Sequence, residues 1–270
     1  MADFLYDYGF IGCGNMGGAI LRALAGAQKE NKAFVYDIDK NKADAFAESF
    51  ENVTCADGVN AVFTSCRYVF LGLKPQVLPA FLEKNADKSV KYEATFVSMA
   101  AGTAVEKIAG FFGEGTKIIR IMPNIPVSVG QGVILYCGNE FVTDEIFADF
   151  AARMQCAGLV DKIDESKIDA ASAISGCGPA FVYMFIEALA DGGVQCGLTR
   201  QQALAYAAQT LAGSARQVLE SGVNPEELKD RVCSPGGTTI AGVHALEENK
   251  FRFASAEAVI AAYEKTLALK

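Results

Sequence analysis

The sequence predicts an α/β chain in two halves: a parallel sheet flanked by helices, then an all-helical half. Three observations carry this. Short β-rich runs alternate with helical runs through the first half. Those β-rich runs are almost continuously apolar, as in strands buried on both faces. Beyond residue 163 the strand signals stop. We therefore divide the 270 residues into units 1–163 and 164–270.

The elements follow in order. "YGFIG" (8–12) predicts a strand and "GGAILRALAG" (17–26) its helix; "AFVYD" (33–37) and "KADAFAESF" (42–50) repeat the pairing. "YVFLGL" precedes "QVLPAFLEK", and "TFVSMA" precedes "AVEKIAGFF". "KIIRIMP" (117–123) and "GVILYCG" (132–138) read as further strands. In the second half Ser166 is the expected cap of the first helix, with Asp169 three residues on. Pro179 suits a first helical turn, where its missing N–H costs nothing. Thr199 and Gln202 form a capping-box pattern. Asn224-Pro225 opens another helix, and Ser255 is the expected cap of the last.

Composition narrows the function. Apolar residues make up 51% and the net charge is −8, with no basic cluster, which argues against nucleic acid as a partner. Asp3 and Asp7 interrupt an N-terminus that lacks a basic stretch, so no signal peptide is expected. "AFVYMFIEALADGGV" is broken by Glu187 and Asp191 and reads as a buried helix rather than a membrane span. None of the eight cysteines forms a CxxC pair and His244 is the sole histidine, so zinc-ligand spacing is absent and no metal is expected. The cysteines read as reduced, mostly buried thiols of a cytoplasmic protein. The Ala-rich helical half is too small and apolar to cover itself, so a homo-oligomer is expected.

"GFIGCGNMGGAIL" holds Gly12-x-Gly14-x-x-Gly17 between an apolar strand and a helix, the order a dinucleotide site requires. Gly12 permits the turn, Gly14 admits a pyrophosphate to the backbone, and Gly17 lets the helix pack on the strand. Asp37, twenty residues beyond Gly17, stands where a carboxylate binds adenosine ribose hydroxyls and repels a 2′-phosphate. Lys40 and Lys42 offset that repulsion, so the site leans toward NADH without excluding NADPH.

Five further segments form a set: "LKP" (73–75), "MAAG" (99–102), "RIMPNIP" (120–126), "ISGCGPAF" (174–181) and "CSPGGTTIAG" (233–242). With them the chain resembles the pyrroline-5-carboxylate reductase family, collinearly from residue 9 to the C-terminus. "SPGGTT" is the most specific part. The resemblance implies an N-terminal Rossmann dinucleotide-binding domain followed by an all-α dimerisation domain, often within a ring of dimers. It implies NAD(P)H contacts at Ile11, Gly12, Cys13, Gly14, Asn15 and Met16, at Leu73, Lys74 and Pro75, and at Ala100 and Ala101. The implied substrate is 1-pyrroline-5-carboxylate, reduced to L-proline. Gly236 and Gly237 then expose backbone N–H groups to its carboxylate at a helix start. Ser234 and Thr238 add hydroxyls, and Ser172 lines the same site. Thr239 resembles the motif threonine whose hydroxyl lies by the imine nitrogen; orientation comes first for it, proton donation second.

The chain departs from the family pattern in three places. Val59 occupies a position that is often Asn, with Asn60 beside it. Cys177 replaces a usual Ser, and Asp37 stands where NADPH users commonly carry a neutral residue. Two alternatives remain. A β-hydroxyacid dehydrogenase relies on a lysine of its second domain, and no lysine occurs from 168 to 228. A non-catalytic dinucleotide-binding paralogue would have no need of the Thr238-Thr239 hydroxyls, and this chain keeps them. His244, within the helix after "SPGGTT", is expected on a buried or interface face rather than in catalysis.

Overall fold

A computed structural model describes residues 4–268. β1 (Tyr6–Ile11) leads to α1 (Asn15–Ala27), β2 (Ala33–Tyr36) to α2 (Lys40–Ser49), and β3 (Val53–Cys55) to α3 (Val59–Ser65). β4 (Cys66–Leu71) leads to α4 (Leu78–Asn85), and β5 (Thr95–Ser98) to α5 (Val105–Ala109). β6 (Lys117–Pro123), β7 (Gly132–Gly138), α6 (Asp144–Met154) and β8 (Gly158–Lys162) follow. The strands form one sheet in the order β3-β2-β1-β4-β5-β6-β7-β8. The chain therefore reverses direction across the sheet between β1 and β4, and ligands bind beyond the strand ends at such a reversal.

The all-parallel expectation is corrected at one pair: β6 and β7 run antiparallel. A 3-10 turn at Ile125–Val129 joins them and ends at Gly130 with φ +69°. So short a link cannot hold the helix a parallel crossover needs. Register aligns Tyr36, Ile11, Leu71, Ser98 and Arg120 across the sheet. The loops after β1, β2, β4 and β5 thus leave from one edge. The faces are filled by two apolar clusters. In one, Phe10 stacks on Phe70 with ring centroids 4.6 Å apart. In the other, Phe63, Phe96 and Phe112 pack with Leu71 and Ile108. Full burial of each such side chain is worth about 1.5–3 kcal/mol.

Contacts divide the chain into two compact units, one to Gly176 with the chain from Lys265, the other Cys177–Glu264. The first unit thus runs past residue 163 and takes in α7 (Ile168–Ser175). Ile168 is fully buried in the second apolar cluster. Asn124 donates from Nδ2 to the Ser175 carbonyl at 2.8 Å and accepts the Val133 N–H at Oδ1. These contacts fasten α7 to β6 and β7. Ser166 is not a cap: it sits in a 3-10 turn over Glu165–Lys167, and α7 begins behind Lys167 with no side-chain cap.

The second unit comprises α8 (Gly178–Gln195), α9 (Arg200–Ser221), α10 (Pro225–Val232), α11 (Thr238–Glu248) and α12 (Phe251–Leu267) as far as Glu264. Thr199 and Gln202 form the capping box of α9, and Asn224 caps α10. α12 starts four residues before Ser255, whose Oγ donates back to the Phe251 carbonyl, so Ser255 is not its cap. Among the described residues of this unit, only Ala190, Ala203 and Ala207 are buried. Tyr183, Met184, Leu219 and Phe253 are more than half exposed. α8 is therefore not the buried helix the sequence suggested. The helical run Glu165–Gln195 is also long and apolar enough, by length and composition, to cross a membrane. Of the eight free cysteines only Cys13, Cys66 and Cys137 are buried, fewer than expected.

Candidate active site

The first turn of the first unit is built by backbone approach. Gly12 adopts φ +92°, and a Cβ there would lie 2.7 Å from the Gly72 carbonyl. A Cβ on Gly17 would collide with the Gly12 carbonyl oxygen. Gly14 precedes α1, and its missing Cβ faces open space. No side chain caps α1 and no acidic residue lies in its first turn. Its leading N–H groups and partial positive charge are therefore available to an anion. Cys13 is buried within the turn. Burial, then the Asp37 charge, push its thiol up to about 12, so it is neutral.

Asp37 follows β2 and closes this turn from the side. Its Oδ2 accepts the Cys13 backbone N–H at 2.7 Å, and its Oδ1 accepts the Asp39 N–H at 2.9 Å. Each oxygen retains a lone pair for a further donor. Ile11, Gly12, Gly14, Asp37, Leu73 and Lys74 line one groove of about 780 Å³. Lys42 lies on the same groove, paired only loosely with Asp39 at 3.8 Å, both side chains about half exposed. Asn15, Met16 and Gly17 open α1 behind the turn, and Pro75 follows Lys74 toward α4. Val59 lines the groove at the start of α3. Sequence reasoning missed Gly72, whose signal was a glycine between an apolar strand and "LKP", and Ile38, 93% exposed beside Asp37.

Ala100 and Ala101 lie on the loop after β5. Ala100 is buried, its N–H donating to Ser98 Oγ at 3.3 Å, and Ala101 is exposed. Beneath this loop lies a charged cluster with no sequence signal beyond the arginine of "RIMPNIP". Arg120, 4% exposed, donates from Nη1 to Glu165 Oε1 at 2.8 Å and faces Asp169 at 3.7 Å. Ser172, buried on α7, belongs to this unit.

In the second unit "SPGGTT" forms a tight turn into α11. The Gly237 N–H donates to the Ser234 carbonyl at 3.0 Å across Pro235 and Gly236. Gly236 has φ +70°, so proline and a left-handed glycine occupy the corner as in a type II turn. A Cβ on Gly237 would strike Ser234 Oγ, so any larger residue there would force the Ser234 hydroxyl to rotate away. No side chain caps α11. Thr238 is exposed and Thr239 half-buried at its first two positions. The Gly237 N–H is thus used inside the turn rather than exposed as expected. The leading N–H groups of α11 remain beside the hydroxyls, a chemistry that suits a carboxylate. His244 is exposed, 3.5 Å from Glu248.

Two family profiles match the chain. That described as pyrroline-5-carboxylate reductase dimerisation covers residues 165–269. That described as NADP oxidoreductase, coenzyme F420-dependent, covers 7–102. The chain is 40% identical over 260 residues to pyrroline-5-carboxylate reductase of Escherichia coli K12, 96% of each chain being covered. A Plasmodium falciparum pyrroline carboxylate reductase crystallised with NADP is 32% identical, with TM-score 0.85 and 99% of both chains covered. A Coxiella burnetii pyrroline-5-carboxylate reductase structure is 30% identical, with TM-score 0.89 and 98% of both chains covered.

Proposed function

The chain belongs to the pyrroline-5-carboxylate reductase family, and from that premise we propose how its residues divide the work. The protein is an NAD(P)H-dependent oxidoreductase that reduces the C=N bond of 1-pyrroline-5-carboxylate to give L-proline, the last step of proline biosynthesis. The observation that carries the site reading is that each unit contains a glycine-entered helix start that no side chain caps. One opens behind Gly12 and Gly14, the other behind Gly236 and Gly237.

The residues fit a dinucleotide. The open space at Gly14 and the uncapped α1 suit a pyrophosphate, with Gly12, Cys13 and Gly17 shaping the turn and Asn15 and Met16 flanking it. Ile11, Leu73, Lys74 and Pro75 would wall the cofactor, and Ala100 and Ala101 would meet its nicotinamide. When bound, the reduced nicotinamide supplies the hydride that the imine carbon receives. Asp37 has a free lone pair on each oxygen for ribose hydroxyls, and its charge leans the site toward NADH. Lys42, on the same groove, moderates that preference.

The Gly236 and Thr238 N–H groups and the Ser234 and Thr238 hydroxyls hold the substrate carboxylate. Gly237 shapes the turn, its own N–H being spent on the Ser234 carbonyl. Ser172 meets the substrate as the family resemblance implies. Thr239 orients the imine nitrogen. A threonine hydroxyl is a weak acid, so an imine bound already protonated needs no proton from it. Positioning dominates the rate. The apolar faces of α8 to α12 are covered by a second copy of the chain, giving at least a homodimer, with a ring of dimers as the larger assembly. This accounts for the apolarity of Glu165–Gln195 without a membrane, and we place the enzyme in the cytoplasm.

The carboxylate reading has a direct test. 1-Pyrroline, which lacks the carboxylate, should show kcat/KM about 10- to 100-fold below that of 1-pyrroline-5-carboxylate, as expected for lost hydrogen bonds to a charged group. Equal values for both would remove "SPGGTT" from substrate binding.

A further inference from the structure

We propose that Glu165 is a positioning residue for hydride transfer, acting through the loop that joins β5 to α5. The proposal rests on the reading of Ala100 and Ala101 as nicotinamide contacts. Glu165 lies in the 3-10 turn before α7. Its Oε1 accepts two donors: Arg120 Nη1 at 2.8 Å and the Val105 backbone N–H at 2.9 Å. Val105 is the first residue of α5, and Ala104 before it has no side chain with which to cap the helix. The Glu165 carboxylate therefore caps α5 from sixty residues away.

Arg120 makes that cap rigid. Its side chain is 5% exposed, and register sets it beside Ser98 on β5. Its Nη2 is the one buried side-chain nitrogen or oxygen among the described residues without a hydrogen-bond partner. A buried guanidinium is costly unless paired, so the Glu165 pair is held in place. The loop is pinned at its other end as well, where fully buried Ser98 accepts the Ala100 N–H. Between the two clamps, Gly102 turns the chain with φ +69°. The span 99–104 is thus stretched between a strand end and a carboxylate on the segment leading into α7. Release of Glu165 frees the α5 end of the loop and the approach of Ala101 to its ligand.

Two variants test this. Glu165→Leu removes both the charge and the acceptor that the Val105 N–H uses. Val105→Pro removes the N–H and keeps the Arg120–Glu165 pair. Because it also exchanges a buried isopropyl group for a ring, Val105→Ala, which keeps the N–H, is the control for lost packing and should leave cofactor KM near the wild-type value. Proline is favoured at a first helical position, and Ala104 at φ −67°, ψ 153° already suits a residue before proline. Both variants should raise KM for NAD(P)H and lower kcat, on the order of tenfold each, since small misplacements in hydride geometry are expensive. KM for the imine should stay near the wild-type value. Because both act through one hydrogen bond, the double variant should be no worse than the more impaired single one. A merely structural role would lower Tm and leave both KM values unmoved. If Glu165→Leu does not fold, Val105→Pro decides alone. Folded Val105→Pro enzyme with wild-type cofactor KM and kcat overturns the proposal. Wild type that fails to oxidise NAD(P)H with the imine removes the functional reading, and this proposal with it.

Discussion

At the scale of single residues, Asp37 has a second task that its position in the sequence does not reveal. Its place after β2 predicts ribose binding, and its bond to the Cys13 N–H adds support for the glycine turn. Asp37→Ser should therefore lower kcat/KM for NADH. It should also shift the NADPH-to-NADH preference on the order of tenfold toward NADPH, about 1.4 kcal/mol. The charge part of that shift should shrink at high salt, because the groove is partly solvated. Steady-state rates with both cofactors at two salt concentrations check this; a wild-type preference for NADPH unchanged by the substitution would leave Asp37 only its turn contact. Gly17 carries a separate expectation. Gly17→Ala drives a methyl into the Gly12 carbonyl and should cost about 1–3 kcal/mol of stability, read by denaturant unfolding. Gly12 and Gly17 were legible because close backbone approach disfavours any side chain there, and Gly14 because of its spacing between them. The Asp37–Cys13 bond and the Glu165–Val105 bond were not, since each joins residues that no local pattern relates.

At the scale of elements, legibility followed length and patterning. The central strands are continuously apolar and α1 is clearly amphipathic, whereas the long helices of the second unit are outlined by their starts, at Pro179, Thr199 and Asn224-Pro225, rather than by periodicity. β3 has three residues and β8 is an exposed edge strand, so neither stands out. α6 was missed although Thr143 caps it and Asp144 and Glu145 fill its first turn, a readable signal. The reversal of β7 was invisible because an apolar run carries no direction. Caps separate the same way. Thr199 and Gln202 satisfy each other's backbone partners, whereas Ser255 lies inside α12. Thr199→Ala should destabilise the protein by about 1 kcal/mol. Ser255→Ala should change stability by no more than about 0.5 kcal/mol. Chemical unfolding of the two variants side by side distinguishes a cap from a helix-interior serine; equal losses would mean that Ser255 caps α12.

At the scale of the whole molecule, the two units differ in how they are stabilised. The first buries large aromatic and aliphatic side chains on both sheet faces. The second buries three alanines among its described residues and exposes its large apolar side chains. A chain of 28.6 kDa should therefore scatter light at micromolar concentration as a dimer or larger. A fully active monomer would contradict the assignment of those faces to a second copy. That a sheet-bearing part is followed by a helical one was legible from the change of grammar along the sequence. The attachment of α7 to the sheet was not, because it depends on Asn124 and Ile168 meeting partners far along the chain. The central claim is that the glycine-lined groove and the "SPGGTT" turn together serve reduction of a cyclic imino acid. The most direct test mixes purified protein with 1-pyrroline-5-carboxylate and follows the absorbance of NADH or NADPH while proline is quantified. The account predicts substrate-dependent oxidation with one proline formed per reduced cofactor consumed; cofactor binding without oxidation or proline would contradict it.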